Sequence, residues 1–91
     1  MVYANMRFKV ADYKAWRKTY DDNEANRLAA GATGTKWVYR DVDDPNTVTL
    51  VMEWDNAENA RKFSESPALR ELQIKAGLIG TPSVRTILTS A

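Results

Sequence analysis

The stretch Lys36 to Trp54, KWVYRDVDDPNTVTLVMEW, constrains this chain more than any other. Asp43 to Asn46 (DDPN) is a turn signal: proline fixes one backbone angle, and Asp and Asn close local side-chain hydrogen bonds. On one side of it a strand is predicted from about Thr35 to Asp41, and on the other from Thr47 to Trp54. The second strand alternates strictly. Val48, Leu50, Met52 and Trp54 fall on one face, and Thr47, Thr49, Val51 and Glu53 on the other. A hairpin of this kind has two faces, each of which must be covered or solvated.

The amino-terminal segment has the same period. Val2, Ala4, Met6, Phe8 and Val10 share one face, and Tyr3, Asn5, Arg7 and Lys9 the other, as in a half-buried strand. Asp12 is a suitable N-cap for the helical segment YKAWRKTYDDNEANRLAAG, in which Tyr13, Trp16 and Tyr20 recur at helical spacing. Lys14, Arg17 and Lys18 sit at the helix's positive end, so burial of the aromatic stripe must hold it. After Trp54, Asp55 or Asn56 caps a helix over AENARKFSE. Ser66 and Pro67 start a second piece over PALRELQIKAG that ends at Gly77. Gly80 and Pro82 are read as a loop before a last strand, Ser83 to Thr89.

The order is strand, helix, strand, strand, helix, strand. It predicts an α+β fold: a ferredoxin-like βαββαβ unit with a four-stranded antiparallel sheet and both helical segments on one face. Residues 1–91 are expected to form a single domain, since a chain of 91 residues buries only a modest core. Ala4, Met6, Phe8, Leu50, Met52 and Trp54 are expected beneath the helices. The opposite face, with Tyr3, Asn5, Arg7, Thr49, Val51 and Glu53, is too mixed for a core and bulkier than a solvated face needs. A second copy of the chain, sheet against sheet, is the economical cover. Trp37 and Tyr39 share one side of their strand, against Lys36, Val38 and Arg40; alternation leaves open which side meets the helices.

Composition narrows the chemistry. The chain has no cysteine and no histidine, which removes thiolate nucleophiles, the usual neutral-pH base and the commonest zinc and haem ligands. No metal and no cofactor is expected. A net charge of +1 gives no bulk attraction to nucleic acid or membrane, and neither is expected as a partner. No apolar run approaches a membrane span and the start has no signal-peptide pattern, so the cytoplasm is the default location. The hairpin acids are accounted for by the turn, and Asp55 by capping.

The segments DYKAWRKTYDD, YRDVDDPNTVTLVMEWDNAENARKFSESPALRE and KAGLIGTP resemble the dimeric α+β barrel superfamily, and within it the small antibiotic biosynthesis monooxygenase group. The resemblance spans most of the chain. It implies a homodimer whose two sheets form one barrel, each subunit keeping a cleft between its helices and its sheet. Relatives include cofactor-independent oxygenases of polyphenolic polyketides, haem-degrading oxygenases and polyketide cyclases. The haem-degrading branch is marked by an Asn on the first strand, a Trp on the second helix and a His ligand. Here Asn5 points away from the expected cleft, Phe63 stands where the Trp would be, and there is no His.

The first helical stripe runs on into Tyr20, Asn23 and Arg27, at spacings of three and four. Relatives similar to this chain carry an Arg at the place of Arg27, which matches, and often a His at that of Asn23, which does not. Trp16, Tyr20, Asn23, Arg27, Trp54 and Phe63 are the candidates for the pocket, with no catalytic residue assigned. The expected ligand is a small organic molecule with an aromatic part. In the oxygenase reading the substrate's own phenolate reacts with oxygen while the protein binds the anion and excludes water. A cyclase would use the same cleft. The alternative is a non-catalytic ligand-binding or structural dimer of the same fold. An RNA-binding sheet is a third reading, suggested by Arg7 and Lys9 beside Tyr3 and opposed by Glu53 and the near-neutral charge.

Overall fold

A computed structural model describes all residues, Met1–Ala91. The elements are β1 (Val2–Val10), α1 (Tyr13–Asp22), α2 (Glu24–Ala30), β2 (Ala32–Arg40), β3 (Thr47–Trp54), α3 (Ala57–Ser64), α4 (Pro67–Lys75) and β4 (Leu78–Thr89). The strands form one antiparallel sheet in the order β2-β3-β1-β4. This is the ferredoxin-like order, with the alternating strands β1 and β3 at the centre and β2 and β4 at the edges.

The central strands carry the core. Pairing of Ala4 with Met52, Met6 with Leu50 and Phe8 with Val48 puts their apolar alternates on one face. Trp16 and Tyr20 of α1, Ala60 of α3 and Ala76 close over them. Val48 and Trp54 are fully inaccessible. Burial of each such side chain contributes about 1.5–3 kcal/mol relative to exposure.

The local signals for helix ends act as physical chemistry dictates. Asp12 accepts from the Lys14 N–H at 3.1 Å, and Ser66 caps α4 with Pro67 in its first turn. Asn56, not Asp55, caps α3, accepting from the Asn59 N–H at 2.8 Å. Asp55 instead accepts from the Asn56 N–H and the Asn59 amide. Gly31 ends α2 at φ 119°, and a Cβ there would meet Asp55 Oδ1 at 2.7 Å. Glycine is therefore required by both conformation and space.

Three boundaries differ from the sequence expectation. The first helical segment is broken at Asn23, which closes α1 and opens α2. β2 begins at Ala32 rather than near Thr35. β4 begins at Leu78 rather than Ser83, because Gly80 (φ 68°) and Pro82 lie inside an edge strand, where the register on β1 shifts between Arg7 and Lys9. An edge strand tolerates both the bulge and a residue without an N–H.

The sheet pairing also settles the side left open by alternation. Trp37 stands opposite Val51 and Tyr39 opposite Thr49, so both lie on the face away from the helices. Lys36 and Arg40 take the helix side at the sheet's edge: Lys36 pairs with Glu24 at 2.7 Å, and the Arg40 guanidinium lies 4.0 Å from the Tyr13 ring centroid. Long basic side chains lay apolar stems along the core margin while their heads reach polar or aromatic partners.

Candidate functional site: a cleft between helices and sheet

A cavity of about 50 Å³ lies between the helices and the sheet. Its floor is Met6, Phe8, Leu50 and Met52, the inward alternates of β1 and β3. One wall is the α1–α2 stripe Trp16, Thr19, Tyr20, Asn23 and Arg27. The other is Phe63 of α3 with Leu69, Leu72 and Gln73 of α4. Most of this surface is apolar, with polar groups concentrated on the α1–α2 side and at Gln73.

Five of the six expected residues border this cavity: Trp16, Tyr20, Asn23, Arg27 and Phe63. Trp54 does not. It is wholly buried, tilted at 42° against Phe63 with ring centroids 5.0 Å apart, and its indole Nε1 has no hydrogen-bond partner. Trp54 shares the inward face of β3 with the floor residues Leu50 and Met52, but lies at the strand's end, past the cavity and against Phe63. The α4 contributors Leu69, Leu72 and Gln73 were not anticipated. Their spacing, with Ala76 following at the next turn, is a helical face that could have announced them.

The aromatic wall is a continuous row of touching rings, tilted at 55° between Phe8 and Trp16 and stacked between Trp16 and Tyr20. Phe8 and Trp16 have centroids 5.2 Å apart, and Trp16 and Tyr20 lie 5.0 Å apart with planes at 24°. The Arg27 guanidinium then covers Tyr20 at 3.7 Å from its ring centroid. Such cation–π contacts gain most where water is absent. Arg27 Nη1 donates to the Tyr20 carbonyl at 2.7 Å, which spans the break between α1 and α2. Asn23 Oδ1 accepts from the Asn26 amide at 2.6 Å, fixing the side chain at that break.

Burial governs the electrostatics. Desolvation pushes the Tyr20 phenol up to about 12, against the pull of Arg27 and Arg17 in the opposite direction. Desolvation also lowers Arg27 from its ordinary value, opposed by Tyr20 and Glu24. The guanidinium remains charged at neutral pH. Neither titratable group of the cleft exchanges a proton near neutrality.

The acids flagged in the sequence are engaged elsewhere. Asp41 binds Arg7, and Asp44 accepts from the Thr47 hydroxyl at 2.8 Å and the Asn46 N–H at 3.1 Å. No three acidic side chains converge in a way that would hold a metal ion, and no helix is long and apolar enough to cross a membrane.

No protein-family model matches the sequence, and no curated protein sequence does. Solved structures do. A protein assigned to the antibiotic biosynthesis monooxygenases, from Bordetella bronchiseptica, superposes with a TM-score of 0.77 at 16% identity, over 99% of this chain and 96% of that one. SnoaB, a cofactor-independent oxygenase from Streptomyces nogalater, gives 0.74 at 16% identity, over 99% and 92%. A conserved protein from Methanosarcina mazei gives 0.71 at 14%, over 99% and 92%. The chain therefore has the α+β fold of the antibiotic biosynthesis monooxygenases, across nearly its whole length. At these identities the likeness is one of fold.

Proposed function

We propose that the protein is a homodimer, each subunit of which binds a small organic molecule with an aromatic part in the cleft between helices and sheet. The observation that carries this reading is the aromatic cavity itself, lined by Phe8, Trp16, Tyr20 and Phe63 and given its polar end by Arg27 and Asn23. A mostly apolar concavity with a few convergent polar groups is the usual form of a small-molecule site. The chemistry that fits is oxygenation without a bound cofactor, supported by the shared fold with SnoaB. The substrate would supply an electron-rich phenolate or enolate, and the protein would hold the anion on Arg27 and keep water away. Cyclisation of a flexible chain would use the same cleft.

The dimer reading is supported by the uncovered sheet face. Trp37 is 40% exposed, Tyr39 56% and Leu88 46%, and all lie on the side away from the helices. The charged groups among them have partners: Arg7 binds Asp41 and Thr49, Lys9 binds Asp44, and Glu53 accepts from the Thr33 hydroxyl. Covering a paired group costs less than covering a free one.

A second reading, a ligand-binding dimer without catalysis, is favoured by one observation. Tyr20 keeps its proton far above neutral pH, so the cleft offers no general base. Native mass spectrometry of protein purified without added ligand tests the shared part of both readings. A dimer with a reproducible small-molecule adduct is the expected result, and a bare monomer would overturn it. Oxygen uptake on presenting phenolic compounds then separates oxygenase from binder.

A further inference from the structure

Arg27 is a buried cation with no carboxylate within salt-bridge distance. It is 4% exposed, and its Nη2 has no hydrogen-bond partner. The acids nearest in sequence are committed: Glu24 to Lys36 at 2.7 Å, and Asp21 to Arg17 at 3.0 Å. The Tyr20 hydroxyl, on the ring that the guanidinium covers, is also buried without a partner. A charge taken out of water and left unpaired is strongly unfavourable, whereas an anion brought to it restores the balance.

Arg27 borders two hollows. One is the cleft, and the other is a recess of about 10 Å³ shared with Glu24, Thr35 and Lys36. The recess has room for one water at most. The cleft is the larger, and its apolar floor would hold the carbon part of a ligand whose charged end lies on Arg27. Its volume also limits that part. An apolar cavity of about 150 Å³ accommodates benzene, three times the space found here. A single ring therefore requires α4 to move outward until the cavity is about three times its present volume. That helix has no buried residue to hold it in place.

Resting on the cleft reading above, we propose that the ligand is a compact monocarboxylate, no larger than a single ring. One carboxylate oxygen accepts from Arg27 Nη2, and the apolar body lies against Phe8, Trp16 and Phe63. The charge-assisted hydrogen bond supplies the selectivity, because a neutral amide of the same shape leaves the cation unanswered.

The test compares sodium acetate with acetamide, and sodium benzoate with benzamide, at fixed ionic strength. Thermal unfolding and the side-chain NMR resonance of Arg27 are the readouts. Binding to the folded state stabilises it by RT ln(1 + L/Kd) at free ligand concentration L, so Tm rises with ligand concentration and rises further for the tighter ligand. The carboxylate is expected to bind about ten-fold or more tightly than its amide, and to move the Arg27 resonance. Arg27→Met, which fills similar space without the charge, is expected to fold and to lose that preference. If it does not fold, Arg27→Lys, which keeps the charge without the planar fork, is expected to retain only part of it. Equal binding of acid and amide, with Trp16 and Phe63 resonances moving and Arg27 still, overturns the anion assignment and leaves the cleft reading standing. Absence of any response from either probe at all three residues overturns both.

Discussion

The two faces of the sheet are made by the same strands and have opposite fates. On the helix side, Val48, Leu50, Met52 and Trp54 are 0–4% exposed, and their alternates Thr49, Val51 and Glu53 on the other side remain half-buried. Bulk does not separate the faces, since Tyr3, Trp37 and Tyr39 all stand on the open side, with the ring centroids of Tyr3 and Trp37 6.2 Å apart. The difference is in the polar groups. The open face pairs the Arg7 guanidinium with Asp41, whereas beneath the helices the one buried cation, Arg27, has no anion within salt-bridge distance. The first arrangement suits burial under another protein surface. The second suits occupation by something small and negative.

Paired truncations test this contrast most severely. Trp54→Ala is expected to cost about 3–5 kcal/mol, as large-to-small changes in closed cores do. Trp37→Ala removes the same side chain from the open face, and should cost an isolated subunit about 1 kcal/mol or less. Urea unfolding at several protein concentrations separates subunit stability from association. Equal costs for the two, independent of concentration, would erase the distinction between the faces. Next in size is Val51→Arg, placed between Asn5 and Trp37 by the pairing of β3 with both neighbours. If the open face is the dimer interface, the new unpaired charge should weaken association by about 30-fold or more. Circular dichroism should be unchanged, and sedimentation would read the loss.

Period-two alternation made β1 and β3, and with them the closed core, legible in the sequence. It worked because both central strands have one wholly apolar side. It left β2 undecided because Lys36 and Arg40, polar by composition, lie on the helix side by virtue of their long stems. The DDPN turn was also legible, with Asp44 closing onto Asn46 and Thr47. The break at Asn23 was not, because that residue caps by backbone geometry within a continuous helical pattern. β4 is longer than its sequence signals imply, because glycine and proline are loop signals unless the strand is at an edge. For the cleft, the spacing Tyr20, Asn23, Arg27 put three side chains on one line, and the fold places all three at the cavity. Position along the strand was the missing dimension. Alternation tells inward from outward but not where along the strand the cavity ends, so of the expected pair Trp54 and Phe63 only Phe63 borders it.

Tyr20 sharpens the contrast by pH. Its phenol titrates at about 12 rather than 10.0 because it is desolvated. The folded state thus holds this proton longer than the unfolded chain does. Stability from this group is intact below about pH 10, falls as pH rises from there, and is fully lost only above about 12. Tyrosinate absorbance should show one of the four tyrosines ionising late. Tyr20→Phe should remove that late step and flatten the alkaline loss of stability. It also removes a hydroxyl that has no partner, so its stability near neutral pH is expected to equal or slightly exceed that of the parent. A late step that survives in Tyr20→Phe would assign the buried phenol to another tyrosine and break the account of the Arg27 stack.

The smallest expected effect lies at the hairpin rim, where charge is solvated. Asp44 is held below its ordinary 3.8 by the Thr47 hydroxyl first, then by the Asn46 N–H and Lys9. Its sign is opposite to that of Tyr20. The folded carboxylate gives up its proton more readily than the unfolded one, so its contribution is present above about pH 4 and is lost as pH falls through the lower folded value. Asp44→Asn preserves an acceptor for the turn and removes the charge. The stability difference between parent and variant should therefore be constant from neutral pH down to about 4 and shrink below it. Because the carboxylate sits at the surface, high salt should weaken its Lys9 contribution while leaving the two short hydrogen bonds in place. A salt-insensitive difference would mean that the turn's hydrogen bonds alone hold Asp44. A difference that vanished in salt would mean that the rim behaves as a charge pair, and that polar satisfaction on the open side is weaker than its geometry implies.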